Sequence, residues 1–380
     1  MYSREWRENL DCNWNEYTWV NRRILPKTNS DIRENADIIL DGLLDISTDV
    51  LDSVKNGGLS GKKIRLSPKK TISLVADILN EIDPGLKRMF DDERRTIDFG
   101  SIMIYPKRQE KKMKRHFLRQ NKYFEAQCFD DAVYRLICGP CKHLIVKCPL
   151  EGNITDVMAI VHEVIHLYSR RLSLNKGYET FVHKSSLLNE TPSIYFEKFA
   201  ADYLVSLGYD KKDVYSSYLE RTIDSLMSST YYLAELDILN TYQNNGSINN
   251  DNLMTDRRIP KIIDNLIELS SYLGSSYSEV GKHLKGISNY WSKVDKEGWI
   301  NWWVFITDII KDQNHLNYVV GRCYTNKLSQ DRETINGMLS VSSGINLPTF
   351  EVKDRELFKS INSLLNEKNK VKDINKSVKC

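Results

Sequence analysis

The sequence has no long hydrophobic run: no window approaches the roughly 18 apolar residues of a membrane-spanning helix. Residues 1–19, MYSREWRENLDCNWNEYTW, are charged and aromatic and contain no apolar core of a secretory signal. We therefore expect no membrane segment and a cytoplasmic location. The seven cysteines, an odd number, fit a reducing compartment better than a disulfide framework.

The chain also lacks a strong charge imbalance. The 54 Lys and Arg residues nearly balance the 51 Asp and Glu residues, and a net charge of +3 does not by itself indicate a nucleic-acid partner. One local exception is a basic run at residues 107–122, in which Glu110 is the only acid. This run fits a solvated loop or helix face, the interpretation we favour, or a contact surface for nucleic acid.

Apolar residues at helical spacing predict a mainly α-helical protein, and 380 residues allow one large domain or two of moderate size. The predicted helices span about residues 31–54, 71–82, 156–172, 189–207, 210–242, 260–284, 299–311 and 354–368. The stretch at 210–242 is expected to end at Asn244-Asn245-Gly246. In the helix at 189–207, Pro192 is expected in the first turn, where its missing N–H has no cost. Runs rich in β-branched and aromatic residues predict short strands at 96–105, 132–137 and 143–147.

The tetrapeptide Cys138-Gly139-Pro140-Cys141 also occurs in thioredoxins, so redox chemistry is one interpretation. A redox CxxC opens a helix, whereas a short β-branched run follows this one, so we favour a simple turn. A structural zinc site formed by Cys128, Cys138, Cys141 and Cys148 is a third possibility, although their spacing matches no common arrangement.

Histidine is scarce, with seven residues in the chain, yet two of them stand four apart in the segment VHEVIHLY at residues 161–168. On an α-helix, His162 and His166 lie on one face and can bind the same metal ion. Glu163 lies between them, where a general base would reach a water on that metal. The alternative is two surface histidines without a metal, but the apolar neighbours predict a buried helix.

The choice of a third metal ligand can be narrowed by excluding other known spacings. A metzincin needs a histidine at position 172, which is Leu172, and a thermolysin-like spacing needs a glutamate near Ser186. Glu179 and His183 are also available but lie in a predicted loop, whereas Glu190 opens the pattern Glu-Thr-Pro-Ser at the start of the next predicted helix. We expect it to be the third protein ligand of one zinc ion, with the fourth position left for water.

These residues resemble the thimet oligopeptidase and oligopeptidase F family of zinc metallopeptidases, which carry HExxH and then a glutamate in an E-x-P-S or E-x-A-S context. The resemblance implies that His162, His166 and Glu190 bind zinc and that Glu163 is the general base. A further family glutamate seven residues later corresponds to Glu197, which is implied to orient a ligating histidine.

The family also has a distal histidine followed by tyrosines that bind substrate and stabilise the oxyanion. By resemblance, His315 and Tyr324 are catalytic and Tyr318 binds substrate. Two positions depart from the family pattern: Ile165 replaces a usual glycine, and Ser169 replaces a frequent histidine. The chain is also shorter than full-length members, mostly before the motif, which predicts a wider substrate cleft.

We therefore predict a mainly α protein with a small β-sheet beside the active site, an α+β zincin-like fold. Residues 1–105 would form a helical lid and residues 106–380 the catalytic region. The predicted function is zinc-dependent hydrolysis of peptide substrates, in which Glu163 moves the proton. The alternative is a catalytically silent scaffold that binds a partner, with the run at 107–122 contacting nucleic acid.

Overall fold

The structure is a computed structural model that describes residues 36–59, 63–95, 102–109, 127–129, 145–175, 186–246, 248, 251–300, 318, 320–323 and 325. Most of these residues are helical, which confirms the predicted predominance of helix. The helices are α1 (Ala36–Lys55), α2 (Pro68–Ile82), α3 (Pro84–Arg95), α4 (Thr155–Asn175), α5 (Ser186–Ser206), α6 (Lys211–Ser229), α7 (Leu233–Asn245), α8 (Arg258–Leu273) and α9 (Ser278–Ser292). None of these described helices is both long and apolar enough to cross a membrane.

Three short strands are also described: β1 (Ile102–Pro106), β2 (Gln127–Phe129) and β3 (Ile145–Leu150). Their order is β1-β3-β2, with β3 in the middle. β1 runs parallel to β3 with Ile102 opposite Val146, and β2 runs antiparallel to β3 with Gln127 opposite Lys147. The predicted strand at 132–137, the Cys138–Cys141 turn and the helix at 354–368 lie outside the described residues.

Two of the stretches predicted as single helices are divided into shorter helices in the structure. The stretch predicted as one helix at 260–284 is two helices, α8 and α9, joined by the 3-10 turn Gly274–Tyr277. Gly274 has φ +72°, which no helical residue adopts, and so it ends α8. The stretch predicted as one helix at 210–242 is also two helices, α6 and α7, joined by the 3-10 turn Thr230–Tyr232. The second of them ends at Gly246 as predicted, with φ +66° and the Gly246 N–H donated to the Tyr242 carbonyl at 2.8 Å.

The expected position of Pro192 is wrong. It lies inside α5 rather than in the first turn, because the helix already begins at Ser186. Leucine and glutamate, which favour helix, precede the proline and extend the helix toward the N-terminus. The missing N–H of Pro192 then removes one hydrogen bond, the one to the carbonyl four residues earlier, and the helix continues.

The described residues divide into two compact units, which we call the α1 unit and the α4 unit after the helices they contain. The α1 unit takes the described residues within 1–58, 185–187 and 219–323, and the α4 unit those within 59–184, 188–218 and 324–380. This division does not follow the predicted boundary at residue 105, because α2 packs directly against α4. The role of residues 1–105 as a lid stays a prediction.

In the α1 unit, α1 packs against α7 and α8, and α8 packs against α9. Arg258, at the start of α8, pairs with Asp37 and Asp41 of α1 at 2.7 and 2.8 Å. Behind these charges, the apolar faces of the helices meet in a core that includes Leu40, Leu43 and Ile262. This burial, rather than the partly exposed ion pairs, supplies most of the stabilisation of the unit.

In the α4 unit, α2 packs against both α3 and α4. Just before α2, the Leu66 N–H donates to the Gly152 carbonyl at 3.0 Å, and the Ile154 N–H donates to the Ile64 carbonyl at 3.0 Å. These two bonds hold the chain that leads into α4 against the chain that leads into α2. As a result, the start of α4 is fixed by both neighbouring segments.

Candidate metal centre

The N-terminus of α4 is tied down by one acid. The Asp156 carboxylate accepts the backbone N–H groups of Gly152 at 2.8 Å and of Asn153 and Glu151 at 3.1 Å. Burial raises the pKa of this carboxyl, and the three N–H groups oppose that rise. Because the helix start is fixed, the positions of residues two turns further along are fixed as well.

The two histidines of α4 lie one above the other and are buried. His162 is 1% exposed and His166 is 6% exposed, as the apolar pattern around them predicts. Their Nε2 atoms point toward each other and lie 3.0 Å apart, with the rings nearly perpendicular. Two imidazole nitrogens so placed can share one metal ion.

The next helix brings a carboxylate to the same point. Oε2 of Glu190, on α5, lies 3.4 Å from Nε2 of His162 and 3.4 Å from Nε2 of His166. The three side chains form a buried group that could hold a metal ion, and no second such group occurs among the residues that the structure describes. The structure therefore brings together the three residues that the sequence predicts as ligands.

The spacing of these three atoms fits a tetrahedral ion. Ligand atoms about 2.0–2.1 Å from a tetrahedral metal are about 3.3–3.4 Å from one another. The observed separations of 3.0, 3.4 and 3.4 Å lie at or slightly inside that value. Two nitrogens and one oxygen are also a donor set that zinc commonly accepts from proteins.

Each histidine has a second contact at its other ring nitrogen. Nδ1 of His162 lies 2.8 Å from Oε1 of Glu197, which is fully buried. Nδ1 of His166 lies 3.2 Å from the hydroxyl of Ser193, also fully buried. A partner at Nδ1 fixes the ring orientation and leaves Nε2 directed at the site.

The charges of the group are strongly coupled. Burial lowers the pKa of His162, but the carboxylates of Glu190 and Glu197 outweigh it and raise that pKa to about 9. Burial raises the pKa of Glu190, and the two histidines more than reverse this, so its carboxyl remains ionised at neutral pH. The two carboxylates thus favour a positive charge at this point, which either a proton on His162 or a metal ion at its Nε2 can supply.

Glu163 lies on α4 between the two histidines and is 5% exposed. One residue on from His162, its side chain is rotated by about 100° around the helix axis. It is therefore directed beside the histidine pair rather than between the two rings. Its assignment as general base stays a prediction.

The distal residues are only partly described. His315 and Tyr324 lie outside the described residues. Tyr318 is half-buried, is helical and belongs to the α1 unit. Thr325, in the α4 unit, donates its hydroxyl to the carbonyl of Thr191 at 3.0 Å, immediately after Glu190 in the chain. The roles predicted for His315, Tyr318 and Tyr324 stay predictions.

Sequence reasoning gave Ser193 no role at the site. The sequence spacing does indicate such a role. Ser193 stands three residues after Glu190 and four before Glu197, so all three share one face of a helix. Because its neighbours are buried, the Ser193 hydroxyl is also expected to have a hydrogen-bond partner. Only the approach of α5 to α4 identifies that partner as His166.

Comparisons with known proteins add no relative. No family model matches the chain, and neither a curated protein nor a solved structure does.

Proposed function

We propose that this protein is a zinc-dependent metallopeptidase that hydrolyses peptide bonds. The observation that carries the proposal is the buried triangle of His162, His166 and Glu190, with Glu163 between the two histidines on the same helix. A structural zinc site usually has four protein ligands, whereas three protein ligands leave a position for water and substrate. The donor set thus favours a catalytic over a purely structural ion.

Zinc, when bound, supplies a Lewis acid that acidifies water and polarises the carbonyl under attack. Glu163 accepts the proton of the attacking water and passes it to the leaving amine. Glu197 keeps the proton of His162 on Nδ1, so that Nε2 is free for the ion. Glu190 contributes a negative charge, which the low pKa of its carboxyl preserves.

The proposed substrate is a peptide, bound with help from His315, Tyr318 and Tyr324. These donors would stabilise the negative charge that develops on the scissile carbonyl oxygen. Support comes from Thr325, which follows Tyr324 in the sequence and whose hydroxyl donates to the Thr191 carbonyl of the helix that carries Glu190. The likeness in sequence to the thimet oligopeptidase and oligopeptidase F family points to the same reaction.

We also propose that the fold is zincin-like, with the small sheet beside the metal helix. The support is the chain order, since β3 ends at Leu150 and α4 begins at Thr155 after a connection of four residues. The basic run at 107–122 is described only at residues 107–109, and there Lys107 pairs with Glu151. The rest of this run lies outside the described residues, and its contact with nucleic acid stays a prediction.

Metal analysis combined with a quenched-fluorescence peptide library tests the proposal. We expect about one zinc per chain in the wild type and in Glu163→Gln, since glutamine removes the base but none of the three ligands. Cleavage should fall by about 10²–10⁴-fold in Glu163→Gln. The exposed Glu81, on α2 of the same unit, gives the matched control Glu81→Gln, which should cleave like the wild type.

Two outcomes contradict the proposal in different ways. A wild-type protein that holds one zinc but cleaves no member of a broad library would support the silent scaffold. A wild-type protein that binds no zinc would overturn the metal centre itself.

A further inference from the structure

The two proposed histidine ligands are supported by different chemistry. His162 has a carboxylate at Nδ1, from Glu197 at 2.8 Å, whereas His166 has a hydroxyl, from Ser193 at 3.2 Å. Both supports come from α5, the helix that also carries Glu190. One face of α5 therefore provides a ligand and the partners of both histidines.

A neutral histidine that binds a metal through Nε2 must carry its proton on Nδ1. Its partner there has to accept a hydrogen bond. The ionised Glu197 can only accept, and the Ser193 hydroxyl can accept through a lone pair while its own hydrogen turns elsewhere. Both groups can therefore hold a histidine in the form required for metal binding, the carboxylate more strongly.

The contact of Ser193 differs from those of other serines in these helices. Ser217, Ser225 and Ser229 direct their hydroxyls to carbonyls of their own helix, three or four residues back. This is the common arrangement for a helical serine. Ser193 instead faces a ring on another helix, and because it is fully buried, no bulk water competes for His166 Nδ1.

We infer that Ser193 is a positioning residue, which holds His166 with Nε2 directed at the metal and thereby sets the affinity of the site. This inference rests on the proposed zinc centre and goes beyond it. In Ser193→Ala the Nδ1–H of His166 loses its acceptor inside a dry site, so the ring gains freedom and binds the ion less firmly. The loss should be smaller than for Glu197→Ala, which removes a charged support.

The test measures zinc affinity by competition with a chromophoric chelator, on full-length protein. We expect Ser193→Ala to bind zinc about 10–100-fold more weakly than the wild type, the range typical of an outer partner of a ligand. Ser193→Thr, which keeps the hydroxyl, should retain most of the affinity. The matched control is Ser217→Ala, a buried helical serine of the same unit whose hydroxyl donates to the Asp213 carbonyl of its own helix.

A second readout does not depend on cleavage. In the cobalt-substituted protein, the visible absorption bands report ligand geometry, and they should change in Ser193→Ala but not in Ser217→Ala. Thermal melting of the metal-free proteins serves as the control, and we expect it to show that both alanine variants are folded. If peptide cleavage is found, excess zinc should restore it in Ser193→Ala but not in Glu163→Gln.

The outcomes separate this inference from the proposed function. If the wild type binds zinc and Ser193→Ala binds it equally tightly with unchanged cobalt bands, Ser193 has no positioning role and the metal centre stands. Equal weakening by Ser193→Ala and Ser217→Ala would also overturn the inference, because it would indicate general loosening. A wild type that holds no metal would remove both.

Discussion

Two buried carboxylates meet two buried histidines at the centre of the α4 unit. Glu190 is 6% exposed and Glu197 is fully buried. Carboxylates so far from water are costly unless a positive charge or several hydrogen bonds offset them. A divalent cation bound to Glu190 and both histidines would balance the two negative charges. The need of these carboxylates for a nearby positive charge therefore agrees with the arrangement of the three donor atoms around a possible metal ion.

Asp237, in α7 of the α1 unit, is another buried acid, and the hydrogen bonds that it accepts come from uncharged groups. Its Oδ2 accepts the indole N–H of Trp299 at 3.1 Å and the backbone N–H of Met254 at 3.2 Å. Its Oδ1 has no hydrogen-bond partner among the described residues. Burial raises the pKa of this carboxyl to about 7, with a further rise from Asp256, while Trp299, Met254 and Lys296 oppose it. The native fold thus favours the protonated acid.

We predict that Asp237 makes the α1 unit less stable as pH rises. The folded pKa of about 7 exceeds the unfolded value of 3.8, so folding has no cost from this group below pH 4. The loss in the free energy of unfolding that is caused by ionised Asp237 grows from pH 4 to 7 and reaches a few kcal/mol above pH 7. Asp237→Asn should therefore be more stable than the wild type at pH 8, and the difference should vanish near pH 4.

Urea unfolding of both proteins between pH 4 and 8 measures this difference. The matched control is Asp264→Asn, an exposed acid on α8 of the same unit, which should give no such gain at pH 8. An Asp237→Asn protein that is no more stable at pH 8 than at pH 4, relative to the wild type, would contradict the assignment.

The helices α4 and α5 supply different groups to the site. α4 supplies the two histidines and the predicted base, and α5 supplies the carboxylate ligand and both Nδ1 partners. Because side chains three, four and seven residues apart share one helix face, each helix needs one correct face. Two helices that meet through those faces therefore supply all three proposed ligands and the Nδ1 partners of both histidines.

The helical segment at 320–323 approaches α1 closely at Gly42. A Cβ atom added to Gly42 would lie 2.6 Å from Cβ of Cys323, whose side chain is buried. We predict that Gly42→Ala destabilises the protein by about 1–3 kcal/mol, since the clash outweighs the better helix propensity of alanine.

The control is Gly286→Ala in α9, where an added Cβ meets no atom within 4 Å. That variant should be as stable as the wild type or more stable, by up to about 1 kcal/mol. Chemical denaturation of the two variants gives the comparison. A Gly42→Ala protein as stable as Gly286→Ala would show that the segment does not pack this closely.

At the scale of the whole molecule, the metal site links two helices of the α4 unit. An ion that binds the folded unit and not the unfolded chain stabilises it by mass action, by about 4 kcal/mol at 1,000 times the dissociation constant. We predict that a chelator lowers the melting temperature of zinc-loaded wild-type protein. Differential scanning calorimetry with and without the chelator measures the change.

The control for that measurement is a His162→Ala/His166→Ala double variant, which lacks two of the three proposed ligands. Its melting temperature should not respond to the chelator. An equal response of both proteins would mean that the chelator acts elsewhere, and no response of the zinc-loaded wild type would contradict a structural contribution of the ion.

The features that depend on short-range order could be predicted from the amino-acid pattern. Apolar periodicity predicted most of the helices, because a helix buries residues three and four apart. The same geometry placed His162 and His166 on one face of α4. Glycine predicted the end of α7 at Gly246, since few other residues adopt φ +66° easily. These inferences needed no knowledge of which helices pack together.

The contacts between residues far apart in the sequence depend on how the helices pack, and the three-dimensional structure was needed to find them. It brought Glu190 to both histidines, gave Ser193 its partner His166 and set Trp299 against Asp237. Such contacts join segments far apart in sequence, and no local pattern encodes the approach of one helix to another. Most of α5 from Glu190 to Leu204 is buried, so apolar periodicity does not single out the face that carries the proposed ligand; the packing of α5 against α4 does.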